Sequence, residues 1–314
     1  GRLDPGGAGN AVIGPPAGAG PEVKTMKRFW RKYGFAVLAI SPFFIQFFIF
    51  QLAPTAATIW LSFQKWNGMS EPRFIGLGNY RAMLTDYQFL DALRNTAIYW
   101  LVGVVGVLLL SLLLACMLNS KLLRGRRFFK TAVFLPYVCA SIAVGLIFGM
   151  LFDQNAGLIN AILGLAGADP QPWLTSSRLA RIPVHALFIW RMTPWYVLIY
   201  LSGLLGIPGE YYEAATVDGA SGIQQFFRIT LPQLGNISFF CMVTVTVDAW
   251  KIFNESYTLA GPGSSNMSLF QLMYVNAFQI FKMGYGSAVG VVLIVILLVL
   301  SLVQFYVRHR RREL

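Results

Sequence analysis

Glu213-Ala214-Ala215-Thr216-Val217-Asp218-Gly219, followed nine residues later by Ile229-Thr230-Leu231-Pro232, forms the centre of a polar loop between two apolar runs of membrane length. The pattern reads EAA, three residues, glycine, nine residues and then I-x-L-P. Its specified positions are Glu213, Ala214, Ala215, Gly219, Ile229, Leu231 and Pro232, with Asp218 directly before the glycine. Because seven specified residues agree over a span of twenty, this EAA loop is the most informative feature of the chain.

The EAA loop is predicted to form two short helices at an angle over about residues 208–232. Pro208 favours the first turn of a helix, and Gly219 favours its end because glycine readily adopts the left-handed backbone found past helix C-termini. Ser221 and Gln224 have the spacing of a capping box for a second helix, which Pro232 is expected to stop. The helices would share an apolar face of Tyr212, Ala215, Ile223, Phe226 and Phe227. That face either docks on another protein or packs against the spans of its own chain.

The composition is that of a membrane protein, since the chain is 56% hydrophobic and only 12% charged. A helix needs roughly 20 apolar residues to cross the hydrocarbon core, and six runs reach that length. Four are free of charge and lie between Lys32 and Lys65, Arg94 and Lys121, Lys130 and Asp153, and Lys282 and Arg308; two more, about 183–208 and 236–257, contain charges. The runs are continuous rather than alternating, which argues against a β-barrel. We therefore expect an all-α integral membrane protein with six transmembrane helices.

The distribution of Lys and Arg predicts the orientation of the spans. With a cytoplasmic N-terminus, fifteen of these residues flank the spans on the inside and seven on the outside, as the positive-inside rule requires. Both termini and the EAA loop are then cytoplasmic. The same clusters account for the net charge of +12, so the charge does not indicate nucleic-acid binding. The three cysteines fall within spans without metal-ligand spacing, and no metal site is predicted.

The chain divides into a predicted flexible tail, residues 1–23, rich in Gly, Pro and Ala, and one transmembrane domain, residues 24–314. It contains no Walker A loop, nucleotide fingerprint or protease and hydrolase signature. We therefore expect it neither to bind ATP nor to catalyse a reaction. No internal repeat is evident, so a two-fold pathway would need a second membrane subunit.

The EAA loop resembles the cytoplasmic coupling loop in the membrane subunits of binding-protein-dependent ABC importers. The stretch Phe74-Ile75-Gly76-Leu77-Gly78-Asn79-Tyr80 is similar to the FxGLxNY element of their maltose-type, sugar-transporting members. The resemblance covers about residues 30–308 and implies the type I ABC importer fold in a bacterial inner membrane. It implies a second homologous permease, two ATPase subunits that bind ATP and Mg, a periplasmic or extracellular solute-binding protein, and membrane lipid as partners. The chain itself would hold no cofactor.

Charged residues inside spans are costly, so they usually face a cavity or a partner. Arg191 lies in the fourth span, while Asp248, Lys251 and Glu255 recur at spacings of three and four in the fifth, which predicts one helical stripe. Glu255 is expected at the outer interface. Two readings are open: Asp248 and Lys251 only neutralise each other, or they line a translocation cavity. In the second reading the lining also contains Trp190, Arg191, Trp195, Trp250 and Asn254.

The resemblance to maltose-type permeases implies substrate contacts on the third, fourth and fifth spans, which adds Tyr137 and Met192 to the predicted pathway. Sugar rings suit such a lining, because their apolar faces stack on aromatic rings while hydroxyls pair with charged or amide groups. The two cations, Arg191 and Lys251, would suit an acidic oligosaccharide such as a uronate or a phosphorylated polyol, and a neutral sugar fits equally. The alternatives are an ABC permease for another solute class, such as amino acids, and a channel outside the ABC class.

Overall fold

A computed structural model describes residue 1 and residues 21–120 and 123–312; most of the predicted tail and Lys121 lie outside this part. The helices are α1 (Pro21–Phe47), α2 (Ala53–Leu61), α3 (Gly78–Thr85), α4 (Tyr87–Asn119), α5 (Arg126–Val138), α6 (Ser141–Leu151), α7 (Leu158–Leu165), α8 (Arg181–Leu205), α9 (Gly209–Val217), α10 (Gly222–Gln225), α11 (Leu231–Gln233), α12 (Gly235–Trp250), α13 (Asn254–Thr258), α14 (Leu269–Tyr274) and α15 (Met283–Arg312). Wider π-helical turns cover Phe48–Leu52, Phe226–Thr230 and Val275–Gln279. Strands β1 (Gln64–Lys65) and β2 (Arg73–Phe74) pair antiparallel, with Gln64 opposite Phe74.

The chain forms two units, residues 1–57 and residues 58–314. In the first unit, none of the side chains described over residues 32–57 is buried, although most are apolar. A helix that is apolar on every side and has no protein to cover it is suited to a lipid environment. The second unit contains a packed bundle and the loops discussed below.

Among the residues that the structure describes, four segments are long and apolar enough to cross a membrane: Lys32–Leu61, Tyr87–Asn119, Gly235–Thr258 and Met283–Arg310. A fifth is the pair of α5 and α6, provided that the two helices count as one span. The remaining predicted span corresponds to α8, which has 25 residues, enough to cross the hydrocarbon core. Because α8 is not among the five, the count of six stays a prediction.

The run that predicts the third span folds as two helices, α5 and α6, which meet at an angle of 98°. α5 ends two residues after Pro136, whose ring removes a backbone donor. Cys139 and Ala140 are then extended, and α6 begins at Ser141. The structure therefore has a break in this segment, either within a span or at the tip of a re-entrant loop.

The bundle has two apolar clusters of buried side chains. One joins α4, α8 and α12, with Tyr99, Phe188 and Val245 at its centre. The other joins the beginning of α4 to α14 and α15, and includes Leu272 and Val289. Together these clusters hold the middle of α8, which carries Arg191, and the end of α12, which carries Asp248, against the rest of the bundle.

α4 and α8 approach each other closely because α4 carries glycine at the contact. A Cβ atom at Gly103 would come within 2.8 Å of the Phe188 ring, and Phe188 is fully buried. Small residues allow transmembrane helices to pack backbone to backbone in this way.

Gly103→Val is therefore expected to lower the stability of the purified protein by roughly 1–3 kcal/mol, the usual cost of overpacking a filled core. Gly164→Val is the matched control, since no atom lies within 4 Å of a Cβ at Gly164. Thermal unfolding of both variants in the same detergent would compare them directly. Equal melting temperatures would contradict the close contact.

Candidate functional site

The EAA loop folds as the predicted helix pair. α9 begins directly after Pro208, and α10 begins after Ser221. The Ser221 hydroxyl accepts a hydrogen bond from the Gln224 backbone N–H, while the Gln224 side chain accepts one from the Ser221 N–H. The predicted capping box is confirmed, and it fixes where α10 begins. We call α9 the first arm of the loop, and the continuous stretch from α10 to α11 the second arm.

Gly219 ends the first arm in the left-handed conformation that its sequence position predicts. Its φ is +77°, and its N–H donates to the carbonyl of Thr216 at 3.0 Å. The next N–H, from Ala220, donates to the carbonyl of Ala215 at 2.9 Å. This pair of bonds is the Schellman motif, which satisfies the last carbonyls of a helix and reverses the chain.

Side-chain hydrogen bonds tie the two arms of the loop together. The hydroxyls of Tyr212 and Thr230 lie 2.9 Å apart, and the Gln225 amide donates to the Thr216 hydroxyl at 3.0 Å. Both bonds cross from α9 to the second arm. The EAA loop is therefore held as one unit rather than as two independently mobile helices.

The second arm ends at Gln233, one residue after Pro232, close to the predicted stop. The chain passes from α10 into the π-helical turn Phe226–Thr230, and α11 continues to Gln233. In this wider turn the N–H of Leu231 donates to the carbonyl of Phe226, five residues back. The widening accommodates Pro232, which has no N–H and whose ring would otherwise clash with the carbonyl of Arg228.

The exposed apolar face of the EAA loop differs from the predicted one. Val217, Ile223 and Phe227 are 88%, 73% and 60% exposed, whereas Tyr212, Ala215 and Phe226 are half-buried. Of the predicted coupling residues, Glu213, Ala214, Asp218, Gly219, Leu231 and Pro232 are exposed, and Ala215 and Ile229 are half-buried. The exposed residues are those free to meet a partner.

A second set of polar groups surrounds a cavity of about 240 Å³. The cavity lies where α8 passes the end of α12 and the beginning of α14. Its lining consists of Phe188, Arg191, Met192, Asp248, Lys251, Ile252, Glu255 and Phe270. The structure thus brings together four of the predicted pathway residues, namely Arg191, Met192, Asp248 and Lys251.

Arg191 forms a buried ion pair with Glu255. Its Nε and Nη2 atoms donate to the same carboxylate oxygen, Oε1, at 2.9 and 2.6 Å, and Glu255 is only 2% exposed. The expectation that Glu255 lies at the outer interface, on one stripe with Asp248 and Lys251, is wrong. α12 ends at Trp250, and the chain restarts as α13 at Asn254, which turns Glu255 inward to Arg191.

Asp248 and Lys251 form a long ion pair, and Asp248 has a second partner. The Tyr196 hydroxyl donates to Asp248 at 2.7 Å, whereas the Lys251 Nζ atom lies 3.9 Å from the other carboxylate oxygen. The Lys251 side chain is 49% exposed. Asp248 is therefore held mainly by Tyr196, and the Lys251 ammonium is available to the cavity.

The remaining predicted pathway residues lie outside the cavity lining. Tyr137 stacks on Trp195 at 5.4 Å, and Trp190 packs on Phe148; these contacts join α5 and α6 to α8. The Asn254 amide donates to the Ser141 hydroxyl at 2.9 Å. That bond connects the first residue of α13 to the first residue of α6, so the two helix breaks lie side by side.

The sequence pattern placed Glu255 at the outer interface instead of in the cavity, and it did not single out Tyr196. The position of Glu255 could have been found by charge balance, because the guanidinium of Arg191 inside a span needs a carboxylate. Nothing in the sequence singles out Tyr196 from the other aromatic residues of α8.

Comparison with known proteins places these features in context. The family described as "Binding-protein-dependent transport system inner membrane component" matches residues 108–313. The chain is similar to the arabinooligosaccharides transport system permease protein AraP of Bacillus subtilis, at 35% identity over 88% of this chain and 89% of that protein. It is also similar to the lactose transport system permease protein LacF of Rhizobium radiobacter, at 30% identity over 92% and 98% of the two chains.

Two further similarities extend these findings. The diacetylchitobiose uptake system permease protein NgcF of Streptomyces coelicolor is 30% identical over 94% of this chain and 88% of its own length. Among solved structures, a chain of a bacterial ABC transporter for the import of alginate superposes with a TM-score of 0.78 at 24% identity, covering 92% of this chain and 98% of the other. The superposition supports the type I importer fold across the two chains.

Proposed function

Because the chain belongs to the family of binding-protein-dependent transport system inner membrane components, we propose that it forms, with a second homologous permease, the pathway of an ATP-driven importer for a neutral sugar or oligosaccharide. The chain is a multi-pass permease subunit of an ABC importer. Its termini lie in the cytoplasm of a bacterial cell in this proposal, and a solute-binding protein delivers the substrate to the outer face.

The proposed substrate class rests on the balance of charges in the cavity. The cavity is lined by two cations, Arg191 and Lys251, and two carboxylates, Asp248 and Glu255. Because these four formal charges sum to zero, the cavity has no net positive charge that would favour a uronate, whereas hydroxyl groups can bond to either sign. The relatives transport arabinooligosaccharides, lactose and diacetylchitobiose according to their names, which are sugars.

Transport by the reconstituted importer tests this proposal. The permeases, the ATPase and the binding protein, taken from neighbouring genes, are placed in liposomes and offered arabinotriose, diacetylchitobiose, trigalacturonate and glutamine. We expect ATP-dependent uptake of a neutral saccharide. Preference for trigalacturonate would move the substrate to the acidic class, uptake of glutamine would favour an amino-acid importer, and flux without ATP would indicate a channel.

Energy for transport comes, in this proposal, from two ATPase subunits that hold ATP and Mg and dock on the EAA loop. The loop offers Val217, Ile223 and Phe227 as an exposed apolar face, and buried apolar surface is the main source of affinity at such a contact. The hydrogen-bonded arms keep this face in one shape. A rigid face transmits a movement of the partner to the attached ends of α8 and α12.

A cysteine at Val217 is expected to lose most of its reactivity toward a maleimide when the ATPase subunits bind, because the side chain becomes covered. The variant is made in a chain from which the native cysteines have been removed. A cysteine at Leu165, an exposed position on α7, is the matched control and should react equally with and without the ATPase. Equal reactivity of both sites would show that the ATPase docks elsewhere.

A further inference from the structure

Five aromatic rings lead away from the charged cavity, and we name them the aromatic ladder: Phe270, Phe253, Tyr257, Tyr274 and Phe278. Phe270 lines the cavity, and its ring centroid lies 5.9 Å from that of Phe253. The Phe253 ring lies 5.3 Å from Tyr257 and 4.8 Å from Tyr274. Tyr274 in turn lies 5.4 Å from Phe278. The ladder is thus unbroken from the cavity to its last ring.

The far end of the aromatic ladder is open. Tyr257 and Phe278 are 43% and 59% exposed, while Phe253, Phe270 and Tyr274 are half-buried. Four pairs of neighbouring rings are tilted by 32° to 54°, and Tyr257 meets Tyr274 edge to face at 83°, so neighbours do not cover each other completely face to face. The ladder therefore combines a fixed inner end with ring surface that a ligand can reach.

Polar groups accompany the rings of the aromatic ladder. The Gln279 amide donates to the Tyr257 hydroxyl at 3.0 Å, next to the exposed part of that ring. A surface that faces only lipid gains nothing from phenol and amide groups, which have no water to bind in hydrocarbon. A carbohydrate uses both, because its ring hydrogens pack on an aromatic face while its hydroxyls form hydrogen bonds.

We propose that the aromatic ladder is a sugar-binding track, on which successive rings of an oligosaccharide rest as the chain passes to the charged cavity. This inference rests on the proposed function, since it concerns the same substrate. Several rings in series give a longer saccharide more contacts than a shorter one. The ladder therefore makes the importer selective for oligosaccharide length, a property that the cavity alone does not supply.

The test compares uptake of a trisaccharide and a disaccharide by the complete importer in liposomes, with arabinotriose and arabinobiose as one pair and triacetylchitotriose and diacetylchitobiose as the other. Tyr257→Leu and Phe278→Leu should reduce trisaccharide uptake, each by up to about tenfold, and disaccharide uptake less. Tyr257→Phe and Phe278→Tyr retain the rings and should keep most of the uptake. Tyr306→Leu, at an exposed aromatic position on α15, is the control for a general effect of losing a ring.

Three results would overturn the proposal. In the first, the wild-type importer transports these sugars and both leucine variants take up the trisaccharide normally. That result would refute the sugar-binding role of the aromatic ladder and leave the proposed function intact. A loss of assembled complex in parallel with uptake would make the ladder a contact with the second permease. If the wild-type importer transports another solute but takes up none of the saccharides, both the proposed function and the sugar-binding role of the aromatic ladder are refuted.

Discussion

Glu255→Ala should abolish transport and destabilise the protein by about 3–5 kcal/mol, the typical cost of removing one partner from a buried ion pair. The guanidinium of Arg191 would remain in place without the carboxylate that pairs with it, and both of its hydrogen bonds to Glu255 would be lost. The measurements are thermal unfolding of the purified protein and ATP-dependent uptake in liposomes.

Lys251→Ala provides the contrast. Its ammonium lies 3.9 Å from Asp248 and its side chain is half-exposed, so the cost in stability should be at most about 1 kcal/mol, while uptake still falls because the cavity loses a donor. The double variant Arg191→Glu with Glu255→Arg exchanges the two charges of the buried pair, and it should recover part of the stability that Glu255→Ala loses. A Glu255→Ala protein as stable as the wild type would show that the pair does not hold α8 to α13.

Gly219→Val should uncouple ATP hydrolysis from transport. At φ of +77° a β-branched residue carries a backbone cost of about 1–3 kcal/mol, so the reversal between the two arms of the EAA loop would be disfavoured. The surroundings are open, since no atom lies within 4 Å of a Cβ at this position. The effect would therefore come from the backbone alone and not from a clash.

Gly219→Asn separates a backbone effect from an effect of adding any side chain. Asparagine tolerates the left-handed conformation far better than valine does. We expect Gly219→Asn to retain most of the transport and Gly219→Val to lose it, with both proteins inserted in the membrane in normal amounts. ATPase activity and uptake are measured in the same liposomes. Equal uptake by Gly219→Val and the wild type would show that coupling does not depend on the left-handed conformation at Gly219.

Local signals in the sequence were sufficient for the EAA loop. The capping box of Ser221 and Gln224 and the left-handed Gly219 depend on neighbouring residues only, so their spacing predicts their structure. Charge-free runs predicted the apolar helices for the same reason, since length and composition decide whether a helix suits a bilayer.

Features that depend on contacts distant in the sequence were not predictable. The pairing of Arg191 with Glu255 joins residues 64 positions apart, and it follows from the end of α12 at Trp250, which no proline or glycine marks. Pro136 is a signal for the break after α5, but the angle of 98° is set by how α6 packs. The π-helical turn before Pro232 is different, since it is a local compromise between a proline and a continuing helix that the spacing of residues did not indicate.

The break between α5 and α6 has a consequence for how the protein is built into the membrane. With 13 and 11 residues at about 1.5 Å of rise per residue, neither helix can cross a hydrocarbon core of about 30 Å by itself. The backbone amides of Cys139 and Ala140 lie outside both helices and require protein or water around them. We therefore expect this segment to settle only after α4 and α8 are present to receive it, which would make α5 and α6 the late-maturing part of a newly made chain.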